Sequence, residues 1–516
     1  MSDFEDTTDF DQSNTMPANP NRYRFLDSLS ISDDVTRRLS LHLDRIVSGN
    51  NEVYLTPLGK NVDPKVILSR IDSIIAEGDH LLSLNLKNLE SSNRAKFGPR
   101  SIAKPWTERF NDVKKYFEDT NVPSTVSVPL TYKGNLRPIS VENASKYLKP
   151  NTNSGLPDYA KKKTVVQKLV ENFDEYIGRN SPCILFTRTQ EIGKTRTVWG
   201  FPIADTLREL TVYVPLLSLQ KTLPWRTALL GPDAVDASLS KFFSELLVDD
   251  SLTLVSIDFS TFDATVKNRQ QESAFNYIRN QFQKSHESVI NDIANRFNTI
   301  GILTPSGVMS GQHGVPSGST FTNEVDSIVQ HNVSSHSGAS INRKEIQGDD
   351  GSYLMKSSDV GLLFKSFLDN GLVVNIDKSY VSRDFCVYLQ RLYDVHYYKD
   401  GFVGGIYPIY RAINRLVYQE RYSNFEDFDL TGIDYYSIRA ITILENVKYH
   451  PLFKELVKLV YELDKYKLKF SSKAVVKYDN MLKNGSGTGG FMYNQFGDNV
   501  SGIYSFETYK LISTFG

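Results

Sequence analysis

Two short runs constrain the fold of this chain more than anything else in it. In "LVSIDFSTFDATV" (254–266) a β-favouring stretch, Leu254 to Ile257, ends on Asp258, and Asp263 follows five positions later past a turn of small residues. In "QGDDGSYL" (347–354), Asp349 and Asp350 stand side by side between Gly348 and Gly351, with extended residues such as Tyr353 and Leu354 leading away. Like charges repel, and burying an unpaired carboxylate is expensive. A hairpin tip carrying two acids therefore needs either open water or a cation. Taken singly, each acid reads equally well as ordinary turn or helix-cap chemistry. Taken together, they put Asp258 and Asp349 on neighbouring strands, where shared divalent ions offset the repulsion.

Bulk composition narrows the classes. At 516 residues the chain exceeds one compact core, and about three domains are expected. Lysine plus arginine (59) nearly cancels aspartate plus glutamate (60), so no global basic field announces nucleic acid. If nucleic acid binds, the positive charge must line a local channel. Two cysteines, Cys183 and Cys386, exclude a disulfide framework and suit a reducing compartment. No run approaches the roughly 18 apolar residues of a membrane span. The first 20 residues carry Asp3, Glu5, Asp6, Asp9 and Asp11 with no base before Arg22, and read as a flexible acidic lead, unlike a signal peptide. A soluble, cytosolic-type protein is the expectation.

Patterning along the chain predicts helices from about 30 to 180 and short β-like runs between 180 and 270, such as "CILFTR" and "TLVSID". Amphipathic helices are predicted over 270–300, an alternation of helix and strand over 317–400, and helices again after 405. The glycine-rich "NGSGTGGFMYNQFG" (484–497) reads as flexible, with 485–490 a hinge. Beyond that hinge a dense run of aromatics (among them Phe491, Tyr493, Phe496, Tyr504, Phe506, Tyr509 and Phe515) favours docking over exposure. The fold class is α+β, a central mixed region flanked by helical material.

Three further segments supply chemistry. In "GVPSGSTFTNEVDSIVQ" (314–330) a Pro316–Gly318 loop precedes a helix with the buried stripe Phe321, Val325, Ile328 and Val329. Thr322 and Asp326 share an adjacent face, with Asn323 one step round; that face suits a ribose 2′-hydroxyl, or the loop is simply a cap at Ser317 or Thr320. In "FTRTQEIGKTRTVWGFP" (186–202), "GKT" fails as a phosphate loop because Arg188 stands where the pattern needs glycine. What remains is Arg188, Lys194 and Arg196, with Lys194 and Arg196 on one face of a strand: a triphosphate clamp or a solvated strand edge. Finally, "DVGLLFKSFLDNG" (359–371) is a helix stopped by Asn370–Gly371, and "LVVNI" is a short strand from which Lys378 emerges. The acids suit two Mg²⁺ ions about 3.5–4 Å apart, one activating an attacking hydroxyl and one stabilising a leaving phosphate.

The order of these segments resembles the ordered motifs of viral RNA-dependent RNA polymerases. "SGLP" (154–157) resembles the template-entry motif, "IGKTRTVWGFP" the triphosphate-binding fingers motif, and "DFSTFD" (258–263), "SGSTFTN" (317–323) and "GDD" (348–350) the first three palm motifs. "LVVNIDKS" (372–379) resembles the fourth and "VYLQRLY" (387–393) the primer grip. The forms "RTVWGFP" and "SGSTFTN" are most similar to those of picobirnavirus and partitivirus polymerases, which serve double-stranded RNA viruses.

The resemblance implies roles residue by residue. Asp258, Asp349 and Asp350 become Mg²⁺ (or Mn²⁺) ligands and catalytic acids, and Lys378 a general acid. Arg188, Lys194, Arg196, Asp263, Ser317, Gly318, Thr322 and Asn323 bind the nucleotide. Ser154, Gly155, Pro157, Leu389 and Arg391 touch template or primer. Many relatives carry Asn nine residues after the serine; here that position is Asp326, leaving open whether Asn323 or Asp326 partners Asp263. The implied architecture is a right hand: fingers at 21–202 and 269–304, a palm of antiparallel sheet with helices at 203–268 and 305–400, a helical thumb at 401–484 and a tail at 485–516. The implied activity is RNA synthesis on RNA from nucleoside triphosphates, replicating and transcribing a double-stranded RNA genome. The partners would be RNA template, product duplex and capsid protein, in the virion interior and host cytoplasm, without a membrane. A reverse transcriptase would be expected to carry an aromatic before the acid pair, where this chain has Gly348. An inactive polymerase-like scaffold would have no need of Asp258, Asp349, Arg196 and Lys378 together. For the tail, the competing expectations are an aromatic plug in the product cavity and packing on the outer thumb.

Overall fold

Side-chain alternation along Leu252–Ile257 layers the centre of the molecule. The computed structural model describes residues 22–119, 125–486 and 500–515. In it this strand lies inside a four-stranded antiparallel sheet, in the order Lys344–Gln347, Asp350–Lys356, Leu252–Ile257, Tyr380–Ser382. Leu252 and Leu254 join Val235, Leu239, Phe242, Phe243 and Leu246 of the helix Pro232–Leu246. Val255 and Ile257 join the opposite layer, with Phe275 and Ile278 of Asn268–Arg279, Val325 and Ile328 of Thr322–His336, and Leu363 and Phe367 of Val360–Asp369. Each large apolar side chain so buried contributes about 1.5–3 kcal/mol. Helices on both faces hold the sheet, and the predicted stripe and the helix stop at Asn370 are where the sequence put them.

A second four-stranded sheet runs Thr195–Gly200, Cys183–Thr189, Ile302–Thr304, Gly307–Met309. Ile184, Leu185 and Trp199 of this sheet pack with Val35, Leu39 and Leu43 of the helix Asp33–Ser48. A third core is helical. Ile413, Ile441, Leu444 and Leu456 from helices after 405 share it with Leu58, Ile67, Ile71 and Leu86 from near the N-terminus. Two links fasten these distant segments. Tyr54–Leu55 pairs with Tyr418–Gln419, and the buried Glu90 carboxylate accepts from the Ile409 and Tyr410 backbone N–H groups at 2.6 and 3.2 Å. Packing therefore groups 57–94 with the later helices and cuts across the single N-terminal block drawn from the sequence.

Two local expectations change. The stretch 203–246, expected as short β-like runs, is two helices, Ile203–Gln220 and Pro232–Leu246. The first is buried over most of its surface and contains Pro215, so neither a single stripe nor local propensity marks it. "LVVNI" makes no strand; Val374 forms one bridge to Phe259 and Ile376–Lys378 is a single helical turn. Asn375 ends the pairing by turning both its backbone and side-chain amides to Asp258. The segment 500–515 docks on the helical core, with Ile503 buried and Phe506, Tyr509 and Phe515 packed against it. Glu445 accepts the N–H groups of Glu507 (3.2 Å) and Thr508 (2.9 Å) at the start of the last helix. The acidic lead at 1–20, Phe491, Tyr493, Phe496 and most of the glycine hinge lie outside the described residues; Gly485 and Ser486 end the helix Ser472–Ser486. Among the described residues no helix is long and apolar enough to cross a membrane, and both cysteines are free and buried.

Candidate active site

Sheet register brings the acids together. Gln347 pairs with Asp350 across the hairpin, leaving Gly348 and Asp349 as its turn, and Ile257 pairs with Gly351, so Asp258 emerges opposite Asp350. Gly348 has φ +66°, a left-handed conformation that glycine adopts without strain. Its N–H donates to Ser327 Oγ at 2.8 Å, and a Cβ there would stand 3.0 Å from Asn323 Nδ2. The helix Thr322–His336 thus supports the turn from beneath, and Asn323 belongs to that support.

Asp258 is held by the segment after the third helix of the centre. Asn375 N donates to its carbonyl at 2.8 Å and Asn375 Nδ2 to Oδ2 at 3.1 Å, while Asp258 N donates to Ser379 Oγ at 3.1 Å. Lys378 Nζ lies 3.6 Å from Asp258 Oδ2 with 58% of its side chain exposed. Burial raises the Asp350 carboxyl well above the ordinary range, with Asp349 and then Asp258 adding to it and Arg196 opposing. Burial likewise raises Asp349, against Arg196 and Lys194 and with Asp258. The cluster holds more negative charge than its surroundings neutralise.

Positive charge comes from the second sheet. Arg196 sits directly across from Arg188 on the paired strands, and Lys194 immediately precedes the Arg196 strand. Burial lowers the Lys194 ammonium, and Arg196 and Lys378 push it the same way. Arg188 lies 4.0 Å from Glu420, and the buried Arg100 bridges Glu420 and Glu191. Lys96, in the turn after the helix Leu84–Arg94, and Arg411, in the helix Ile409–Val417, come to the same place; burial, then Arg411 and Lys378, lower Lys96. Nothing periodic in the sequence points to Lys96, Arg411 or Asn375.

The loop before the Thr322 helix is pinned to the Arg196 strand. Trp199 N donates to Ser317 O (3.0 Å), Ser317 Oγ to Thr197 O (2.9 Å), and a Cβ on Gly318 would fall 1.9 Å from Trp199 O. Only glycine fits that approach. Thr322 Oγ accepts from Gly318 N at 3.2 Å and donates to Pro316 O at 3.0 Å. Glu209, pushed up to about 7 by burial, receives Ser319 Oγ (2.6 Å) and Thr320 N (2.7 Å). The helix begins at Thr322, so neither Ser317 nor Thr320 caps it by the simple rule. Asp263 meets Asp326: their carboxyls are within hydrogen-bonding contact, so Asp326 and not Asn323 is its neighbour.

A family model for viral RNA-dependent RNA polymerase matches residues 149–402. A potential RNA-dependent RNA polymerase of human picobirnavirus (strain Human/Thailand/Hy005102/-) is 31% identical over 476 residues, covering 83% of this chain and 86% of that protein. The chain belongs to the viral RNA-dependent RNA polymerase family. Its fold is also similar to the crystal structure of the RNA-dependent RNA polymerase of a human picobirnavirus, with TM-score 0.74 and 26% identity over 93% of this chain and 97% of that one. An insertion-loop deletion mutant of a human picobirnavirus polymerase matches with TM-score 0.73 and 27% identity, over the same shares.

Within this polymerase, several residues expected at template or primer lie too deep to touch either. Ser154 is 0% exposed and Gly155 is buried; Ser154 O accepts from Ile203 N at 2.7 Å, and a Cβ on Gly155 would meet Phe201 O at 2.6 Å. They shape the loop that carries the half-buried Pro157. Arg391 is buried too, donating to Gly405 O (3.2 Å) and to Asn446, and so ties the hairpin to the post-405 helices. Leu389 and Gln390 form the left-handed hairpin tip, at φ +49° and +64°.

Among the described residues no three acidic, histidine or cysteine side chains close into a ready-made metal cage. Open carboxylates with surplus charge do fit a hard cation that keeps water and phosphate oxygens among its ligands.

Proposed function

We propose that this chain is the RNA-directed RNA polymerase of a double-stranded RNA virus, working by two-metal nucleotidyl transfer. One observation carries the reading: sheet register sets Asp258 opposite Asp350, with Asp349 in the adjoining turn, and Arg196 and Lys194 face those acids from the second sheet. The central sheet is the palm, the Arg196 sheet belongs to the fingers, and the helices after 401 are the thumb, closed onto the N-terminal helices through the shared core.

Mg²⁺ or Mn²⁺ held by Asp258, Asp349 and Asp350 would supply charge neutralisation and activation of the attacking hydroxyl. Arg196 and Lys194, with Arg188 behind, bind the triphosphate. Lys378 holds a proton beside Asp258 and gives it to the leaving pyrophosphate. The pinned loop 317–322 seats the template–nucleotide pair, and Asp263 accepts from the ribose hydroxyl. RNA template, product duplex and the viral capsid protein are the partners of this reading, and the virion interior and host cytoplasm its locations.

Primer extension with RNA and DNA templates, each with rNTPs and dNTPs, tests it. RNA-templated incorporation of rNTPs is expected. Folded protein inert on every combination overturns it in favour of a scaffold, and a preference for dNTPs favours a reverse transcriptase.

A further inference from the structure

The helix Thr322–His336 is buried on two sides, and the residue pattern marks both. Phe321, Val325, Ile328 and Val329 join the apolar layer, while Asn323, Ser327 and Gln330 stand at i, i+4 and i+7 on a second, polar face. Ser327 and Gln330 are each 0% exposed, and polar groups buried so completely need partners. The acid-bearing hairpin supplies them. Ser327 Oγ accepts from Gly348 N at 2.8 Å and donates to Asn323 O at 2.7 Å. The Gln330 side-chain amide lies 3.2 Å from Gly348 O and 3.3 Å from Asp350 O. Both of those oxygens only accept, so the end that faces them is the amide nitrogen with its two N–H donors.

One helix thus grips the backbone on either side of Asp349. The fit is close: a Cβ on Gly351 would fall 2.5 Å from the Gln330 amide. Because the grip falls on backbone carbonyls and is neutral, it adds no counter-charge to the acids. A lysine could donate to the same carbonyls, but its charge would compete with a cation at the turn. We propose that Gln330 is a positioning residue for this turn: by holding both carbonyls it fixes where the Asp349 and Asp350 carboxyls stand relative to Asp258, and so how tightly they take a divalent cation. Groups that orient metal ligands typically change affinity about 10–100-fold when removed.

The metal role rests on the polymerase reading, and the tests keep the two apart. Mn²⁺ uptake by the full chain, without nucleotide, is read from the loss of the free-ion EPR signal, with Asp349→Ala as the blank. Gln330→Met keeps the length of the side chain but donates nothing, and its Mn²⁺ affinity should fall about tenfold or more. The Mg²⁺ concentration for half-maximal RNA synthesis should rise in step, and excess Mg²⁺ should restore most of the rate. Ser327→Ala releases Gly348 N alone and should shift the affinity the same way by less; it serves if Gln330→Met does not fold. Val329→Ala, on the apolar face, should lower the melting temperature without moving either metal dependence. The proposal is overturned if Gln330→Met binds Mn²⁺ like the parent, or if Val329→Ala weakens binding as much at equal loss of stability. A parent that takes up no more Mn²⁺ than the blank also overturns it. Parent protein that makes no RNA, while Gln330→Met still loses Mn²⁺ affinity, would instead remove the polymerase reading and leave the clamp.

Discussion

Buried carboxylates do two different jobs in this molecule. In the helical core, Glu90 takes the Ile409 and Tyr410 N–H groups and lies 3.1 Å from His450 Nε2, while Glu445 takes two N–H groups of the docked tail. Each such acid is matched donor for acceptor at a helix start, where backbone dipoles favour negative charge. At the central sheet, Asp350 is raised by burial, Asp349 and Asp258, and Asp349 by its surroundings and Asp258, while the cations that face them belong to other elements. The first arrangement stabilises a fold; the second leaves negative charge that the protein does not pair donor for acceptor. Substitutions should therefore separate stability from activity cleanly between the two regions.

The widest separation is expected at the turn. Asp349→Ala removes a turn acid whose charge the surrounding protein disfavours, so the melting temperature should hardly fall, yet RNA synthesis should fall by at least about 10³-fold with Mg²⁺. Extension by the purified variant at near-parent rates would break the contrast. Lys378→Leu comes next: general acid work predicts a kcat loss of about 10²–10⁴-fold with little change in KM. An effect confined to KM would recast Lys378 as a charge that only binds triphosphate. In the helical core, Glu90→Ala leaves two buried backbone N–H groups without their acceptor. A loss of about 2–4 kcal/mol in denaturant unfolding is expected, with activity per folded molecule retained. The smallest effect belongs to Asp263→Ala, which should lower the rNTP over dNTP preference by about 1–3 kcal/mol. An unchanged ratio would move Asp263 into the structural class.

Legibility in the sequence followed the range of the interactions involved. The hairpin at 347–354, the stripe of the Thr322 helix and the stop at Asn370–Gly371 were readable because turn chemistry and periodicity act over a few residues. The helix Ile203–Gln220 was not, since burial on most sides erases its stripe and Pro215 argues locally against helix. Ser154 and Arg391 matched motifs, but burial turned them into supports; a motif records residue type and spacing, never depth.

The sequence by itself determined which residue types are available for the chemistry: acids at two strand ends, a basic strand, and a Pro–Gly loop before a striped helix. The tertiary structure alone decided which charges face which. It brought Lys96 into the field of Asp258 and Arg411 into that of Asp350, over 300 positions apart in the chain. It also closed the N-terminal helices onto the post-405 core and placed Asp326 against Asp263. Each of those outcomes depends on long-range packing, and electrostatic energy depends on distance and burial, neither of which is written in a linear spacing.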